Sequence, residues 1–439
     1  MQTRSTTALF LTRPGAAERA ITVLTMIVLA IGLPTAWMLE PQAAGDVLAG
    51  ATDINLRQDP IANVLLAALL GYAIIRLTGN FHFVMELIRR EPLLATFVGI
   101  MCVSALWSPE LFVTVRRAAA ITLVLLFGYY LVVRYPLIEI MKLASRAFMF
   151  ATVLHYAWIF GIPRLGIGGD TGWTGVLINR NTLGENMTLA TIVFLITARS
   201  HRRYRALYYL FTVLSIILVI GSQSKTSLGA MAGLVVMTGV FVAFRARAQL
   251  YGAVALTFIT SAVGAVLWTT ANLGAITRSL ERDITLSGRV PLWEELLPII
   301  WDNPWLGSGY QAFWRGFYSP SHDVLISNTW NPPHAHNALF DYAIELGIPA
   351  AMVFVLLFVR TVVRSARFVR YKRGAVGLFP IVMASYTLLF SITENGVVKR
   401  NMGFTLLVVA IASVTQTRRP RAQEELEVAP QPVSQPQPS

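Results

Sequence analysis

The sequence predicts an all-α polytopic membrane protein, and three observations carry that expectation. Of its 439 residues 55% are hydrophobic and only 13% are charged, more apolar surface than one or two soluble cores can hide. The apolar residues come in continuous runs of about twenty, the length that crosses a bilayer as a helix. Only helices or closed barrels satisfy the backbone in lipid, and unbroken apolar runs are the helical signature. The arginines collect in short segments between those runs. The net charge of +13 therefore reads as membrane topology and not as a footprint for nucleic acid.

About twelve spans are expected, at approximately 20–39, 61–78, 92–107, 118–134, 138–160, 183–199, 206–221, 227–244, 251–270, 337–360, 376–392 and 401–416. Residues 1–19 form a polar N-terminus carrying Arg4, Arg13 and Arg19. The run after it is too long for a signal-peptide core, so it reads as a retained first helix. The third span is short and interrupted by polar residues. Arg89-Arg90, Arg199 to Arg205, Arg245, Arg247, Arg360 to Arg373 and Arg418 to Arg421 all fall on the N-terminal side, which the positive-inside rule makes cytoplasmic. The chain then divides into the N-terminus 1–19, nine helices over 20–270, a polar insert over 271–336, three helices over 337–416 and a cytoplasmic tail over 417–439. From Glu424 onward that tail is rich in Pro, Gln and Ser and reads as disordered. Cys102 is the sole cysteine, so no intramolecular disulfide forms.

The insert between the ninth and tenth helices is the longest excursion on the face opposite the arginines. Ser287 is placed to cap a helix through Trp293, Leu296, Leu297 and Ile300, whose apolar positions recur at helical spacing. Asn303-Pro304 stops it, and Gly307 and Gly309 supply tight turns. Its apolar stripe is expected to lie against the membrane surface or the helix bundle.

The same face gathers the groups able to do chemistry. His334-Ala335-His336-Asn337 stands at a helix start. Histidines two apart do not share a helical face, and no carboxylate or cysteine nearby completes a metal site, so no metal is expected. One imidazole can handle a hydroxyl proton, or both can be interface residues with Asn337 as a cap. Arg289 lies just inside a helix N-terminus, unfavourable for the dipole unless it meets an anion, whose oxygens its fork matches. Lys225, within Ser222-Gln223-Ser224-Lys225-Thr226, is a second cation. Ser224, Asn181, Arg117 and Glu394 are further candidates for holding sugar or phosphate, with helix capping or a solvated loop as the alternative for each. Trp301, Trp305, Tyr310, Trp314 and Trp330 suit a sugar face and a membrane interface equally.

Six segments, in order, resemble the O-antigen polymerase/ligase superfamily of Wzy/WaaL type, and are most like ExoQ-like exopolysaccharide polymerases. They are Leu106-Trp107-Ser108-Pro109 with Arg116-Arg117; Gly175 to Asn181 with Leu183-Gly184; Ser222 to Ser227; Leu286-Ser287-Gly288-Arg289 with Leu292-Trp293; Asn303 to Gly309; and His334 to Asn337. Gly347 follows Asn337 at the ligase spacing, but Ala350 stands where ligases often have Gly, Thr or Tyr. Lys225 stands where many relatives have a second arginine.

The resemblance implies a GT-C-type fold with its site at the periplasmic face of the bacterial inner membrane. It implies inverting, metal-independent and cofactor-free transfer from an undecaprenyl-pyrophosphate glycan to a sugar hydroxyl. His336 and Arg289 would be catalytic, with Lys225, His334, Asn337, Asn181, Ser224, Arg117 and Glu394 binding substrate. The implied partners are the lipid-linked donor, the glycan acceptor, membrane lipids and a chain-length regulator or export complex. Polymerase, ligase and polysaccharide transporter or flippase remain open as readings. Transporters place charge at the bilayer midplane and show repeated halves; this chain clusters its polar groups at one face.

Overall fold

A computed structural model describes residues 14–31, 60–168, 172–177, 179–244, 289–316, 319–328, 332–372, 374–394 and 398–415. The expected ninth span at 251–270, Ser287, Gly288, Trp330 and both termini lie outside these. The described residues are helical apart from connecting segments and one isolated bridge between Ile167 and Trp173. In chain order the helices used below are α1 (Ala16–Ile31), α2 (Pro60–Thr78), α3 (Phe81–Arg90), α4 (Pro92–Val103), α5 (Leu111–Arg134), α6 (Leu137–Gly161), α7 (Arg180–Ser200) and α8 (Arg205–Gly221). They continue with α9 (Lys225–Phe244), α10 (Arg289–Asp302), α11 (His322–Ser327), α12 (Ala338–Leu346), α13 (Ile348–Tyr371), α14 (Phe379–Thr393) and α15 (Met402–Thr415).

Among the described residues, five helical segments are long and apolar enough to cross a membrane, or six if the pair α2–α3 counts as one span. Of the twelve expected spans, the one at 251–270 and residues 32–39 of the first lie outside the described residues, and several others differ in form. Helix α2 forms where the span at 61–78 was expected, and α3, at 94° to it, lies between that span and the next expected one. Helices α6 and α7 form where spans were expected, but α6 carries Glu139, Lys142 and Arg146, and α7 carries Glu185 and Asn186. Helix α15 covers only about 21 Å at 1.5 Å per residue, yet each of its 14 residues is buried. It forms a central post packed by α5 and α14, and α14 in turn packs against α9 and α13.

The expected span over 337–360 is two helices. Gly347, at φ 85°, separates α12 from α13. The preceding Asn303–Gly309 stretch wraps this break and satisfies backbone groups that a helix end would leave bare. Ser308 N donates to Ile344 O at 3.0 Å, Gly309 N to Glu345 O at 2.7 Å, and Ile348 N to Pro304 O at 2.7 Å. The wrap reaches the connection between α4 and α5 through Trp107 Nε1, which donates to Leu306 O at 3.0 Å, and through Tyr310 N, which donates to Ser104 Oγ at 2.9 Å.

Helix α10 turns its apolar stripe onto α12. Leu292, Trp293, Leu296 and Ile300 share a small core with Phe313, Phe340 and Ile344. The Trp293 ring stacks on Phe340 with centroids 5.5 Å apart.

Two ion clusters tie the other end of the bundle. Arg134 at the end of α5 grips Glu18 of α1 at 2.6 and 2.9 Å, and Arg76 of α2 joins at 3.5 Å. Glu91 pairs with Arg360 and Arg364 of α13. Arg117 and Arg134 lie about 26 Å apart along α5 by helical rise, so the insert and the clustered arginines occupy opposite ends.

Gly347 has no room for a side chain, because an added Cβ would lie 2.2 Å from Trp305 O. Gly374 shares the left-handed backbone, at φ 96°, but nothing lies within 4 Å of its Cβ position. Gly347→Ala is expected to lower the melting temperature in detergent by several degrees through strain plus the backbone clash, and Gly374→Ala by much less, through strain of roughly 1 kcal/mol. Equal melting shifts for the two variants would show that the close approach is unimportant.

Candidate active site

The His334–Asn337 strap is fixed from three sides. Trp293 Nε1 donates to Ala335 O at 2.7 Å, and Ala335 N donates to Asp341 Oδ1 at 2.9 Å. Asn337 caps α12, its side-chain oxygen accepting from Leu339 N at 2.9 Å and Phe340 N at 3.5 Å. Between these anchors His336 adopts φ 51°, a left-handed conformation costly for a residue with a Cβ. The other non-glycine residues with positive φ among those described are Gln223 and Gln311. Gln223 lies in the loop before α9, and Gln311 lines a cavity reached by His334, so all three adjoin this region.

Glu394, directly after α14 and 6% exposed, draws the predicted residues together. Its Oε1 accepts from Asn181 Nδ2 at 3.3 Å and from Arg289 Nη2 at 3.4 Å. Its Oε2 lies 3.3 Å from His336 Nδ1 and 3.5 Å from His334 Nε2. Arg289 Nη2 also meets Thr226 Oγ1 at 3.4 Å. Ser224 Oγ donates to Asn181 Oδ1 at 2.8 Å, which turns the Asn181 amide N–H toward Glu394. Lys225, between Ser224 and Thr226, is exposed at the first residue of α9.

The charges can be assigned from these contacts. His334 Nδ1 accepts from His336 N at 3.1 Å, so the neutral ring carries its proton on Nε2, facing Glu394. Burial, then His336, Lys399 and Arg289, hold the His334 pKa well below the usual imidazole value. Burial also lowers the pKa of Arg289, and the Glu394 charge opposes that shift.

The fold alters three readings of the sequence. Asn337, expected to bind sugar, is 1% exposed and committed to the cap. Ser224 and Glu394, expected to touch substrate, are buried and spend polar atoms on neighbouring protein groups. The expectation of no metal rested on the lack of a carboxylate near the histidines in sequence, and Glu394 supplies one in space. His334, His336 and Glu394 offer ligand atoms within 4.8 Å of one another, a spacing that can close on one cation. Arg289 already brings a positive charge to the same carboxylate.

Arg117 stands apart from this hub. It lines a cavity of about 310 Å³ together with Arg116, Lys399, Arg400, Asp341 and Glu345, and His334 forms part of the wall. Arg117 Nη1 donates to Gln311 O at 2.9 Å. Glu345 Oε2 accepts from Gln311 N at 2.9 Å, and Asp341 Oδ1 accepts from Trp314 Nε1 at 2.9 Å. Burial raises the Asp341 carboxyl to about 7 and that of Glu345 to about 8. Sequence reasoning passed over both acids because they sat inside an assumed span. An ionisable pair four residues apart in an apolar run is itself the signal that could have found them.

Residues 210–355 match the family model Wzy_C, described as O-antigen ligase. The matched segment is that of the O-antigen polymerase/ligase superfamily. No curated protein matches the chain. The Wzy_C segment contains Lys225, Arg289, both strap histidines and Gly347. Asn181 and Glu394 lie outside it and reach the hub through folding, and Arg117, also outside it, lines the neighbouring cavity. The match spans about a third of the chain; together with the several apolar helices among the described residues it supports a multi-pass membrane protein with a polymerase or ligase role.

The buried acids set a pH dependence whose sign follows from linkage. A carboxyl raised in the folded state holds a proton that the unfolded chain has lost. Its stabilising contribution is full below about pH 4 and is lost as pH rises through the folded value, here about 7 for Asp341 and about 8 for Glu345. Thermal unfolding of the purified protein between pH 5 and pH 9 should show falling stability, with a shallower decline for Asp341→Asn. An unchanged slope in that variant would exclude Asp341 as a source of the dependence.

Proposed function

We propose that the protein polymerises a bacterial surface polysaccharide at the periplasmic face of the inner membrane. It transfers a growing glycan from polyprenyl (undecaprenyl) pyrophosphate to a hydroxyl of a lipid-linked repeat unit. The observation that carries this reading is the Glu394 bridge, which puts an imidazole able to take a proton beside a guanidinium able to hold a phosphate.

In this mechanism His336 Nδ1–H faces Glu394, so the lone pair on Nε2 is the base. The acceptor hydroxyl gives its proton to Nε2 as its oxygen bonds to the donor's anomeric carbon. The bond from that carbon to the pyrophosphate oxygen breaks, and its electron pair leaves with the pyrophosphate. Arg289 and Lys225 stabilise the charge that develops there. A single displacement of this kind inverts the anomeric configuration. Glu394 stabilises the imidazolium and orients both histidines, and Asn181 and Ser224 fix Glu394. No metal enters the scheme, because the proton goes to His336 and the departing charge meets Arg289 and Lys225.

His336→Ala is expected to slow elongation of purified lipid-linked repeat units by roughly 10²–10⁴-fold. Arg289→Ala should cost roughly 10²–10³-fold, and Arg289→Lys should recover only part of this because lysine lacks the fork. A folded His336→Ala protein that elongates at the wild-type rate would remove the base assignment. Treatment with a chelator should leave the rate unchanged. Loss of activity restored by an added divalent ion would turn the His334–His336–Glu394 cluster into a metal site.

The Wzy_C description favours a second reading, an O-antigen ligase that passes the same donor to lipid A–core or another terminal acceptor. A deletion strain separates the two. Single repeat units left on the lipid carrier indicate a polymerase, and assembled but unattached polymer indicates a ligase.

A further inference from the structure

The cavity beside His334 is not used by the donor chemistry above, and among the described residues its wall carries more basic than acidic side chains. Arg116, Arg117, Lys399 and Arg400 contribute four cationic groups to one space of about 310 Å³. The carboxyls in the same wall are Asp341 and Glu345, and both are raised by burial to about 7 and 8. Near neutral pH they therefore offset only part of the positive charge. Lys399 has one further acidic neighbour, Glu185 Oε2 at 3.9 Å. Like charges crowded into a partly buried space raise the energy of the empty site, and an anion relieves it.

Three details narrow the kind of anion. Arg117 Nη2 and Asp341 Oδ2 are buried and find no hydrogen-bond partner among the described residues, so one guanidinium donor and one carboxyl oxygen are left for a ligand. The Trp314 ring, held through Nε1 on Asp341, and the Gln311 amide line the same space. An aromatic face beside paired donors and acceptors suits a pyranose, which shows both C–H faces and hydroxyls. The volume lies at the lower end of the roughly 300–1,000 Å³ common for small-molecule sites, enough for a sugar or two and not for a lipid tail. The position is the fourth constraint. His334 borders the cavity and also contacts the Glu394 hub, whereas Arg289 is absent from the cavity lining. A ligand here lies against His334, which also touches Glu394, and away from Arg289, to which the departing pyrophosphate is assigned.

We infer that this cavity is the acceptor subsite and that it selects an acidic sugar, a pyranose bearing a carboxylate such as a uronic acid. The assignment deepens the glycosyl-transfer reading and rests on it for the word acceptor. The carboxylate meets the arginines, the ring lies near Trp314, and the hydroxyls use Asp341 and Gln311.

Binding tests this without turnover, so the outcome does not depend on whether His336 is the base. The full-length protein in detergent is titrated calorimetrically near pH 7 with cellobiouronic acid, with cellobiose and with inorganic pyrophosphate. The acidic disaccharide is expected to bind at least roughly tenfold more tightly than the neutral one, the scale of a charge-assisted hydrogen bond. The double variant Arg116→Gln/Arg400→Gln, at two exposed positions, should bring the two disaccharides within about twofold of each other. Equal affinity for both in the native protein would overturn the inference, as would a preference that survives the double variant. Pyrophosphate that binds more tightly than the acidic disaccharide, loses affinity in the double variant and keeps it in Arg289→Ala would make the cavity a diphosphate site and also overturn it. In none of these cases is the transfer reaction itself refuted, since a neutral acceptor remains compatible with it.

Discussion

The arrangement of the site depends on one buried carboxylate. Glu394 is almost wholly removed from solvent, and a carboxylate in that position is tolerated only if charge and hydrogen bonds compensate its lost hydration. The compensation comes from Asn181 at the start of α7, Arg289 at the start of α10, and both histidines of the strap. Each of these is constrained in turn by the same contact. Arg289 is itself largely buried and would be costly without its partner. The histidine rings, with centroids 4.0 Å apart, are turned so that one nitrogen of each faces the acid. In the proposed reaction, proton transfer and anion binding would thereby be coupled through a single residue.

The frame around this hub is stiff where stiffness matters. Glu394 hangs from α14, which is packed against the wholly buried α15. The strap is clamped between the Trp293 indole and the Asp341 carboxylate, and Asn337 closes it onto α12. Left-handed backbone at Gln223, Gln311 and His336 persists only because surrounding contacts fix it more strongly than local preference opposes it. The Asn303–Gly309 wrap has a structural duty in the same scheme. Its backbone caps the α12–α13 break, and its close approach to Gly347 and to Glu345 leaves no space for side chains at Gly347 and Gly307. The glycine spacing noted in the sequence thus corresponds to a helix break that aims α12, and with it the strap, at Glu394.

Legibility in the sequence followed the range of the interaction. Helices α5, α8, α9, α13 and α14 announce themselves as apolar runs, because the requirement to hide backbone from lipid acts on contiguous residues. Helix α10 was readable for a similar local reason, an apolar stripe ended by Asn303-Pro304. The break at Gly347 was not. The run from 337 to 360 looks continuous when only hydropathy is considered, and the left-handed glycine and the wrapping segment declare themselves through packing. Asp341 and Glu345 were hidden by that misread span, although their presence in an apolar run was a warning.

The sequence by itself determined that the chain is a helical membrane protein, that its polar chemistry gathers toward one end, and that His336, Arg289 and Lys225 are among the residues to watch. Those properties reside in hydropathy, charge distribution and residue type, which can be read one segment at a time. The tertiary structure decided which of those residues meet. Glu394 lies 105 positions from Arg289 and 213 from Asn181, and no local pattern encodes such a pairing. It decided that Asn337 caps a helix and that Arg117 serves a neighbouring cavity. The physical reason is that hydrogen bonds and charge pairs act over a few ångströms, so their partners are fixed only when packing brings distant segments to the same place.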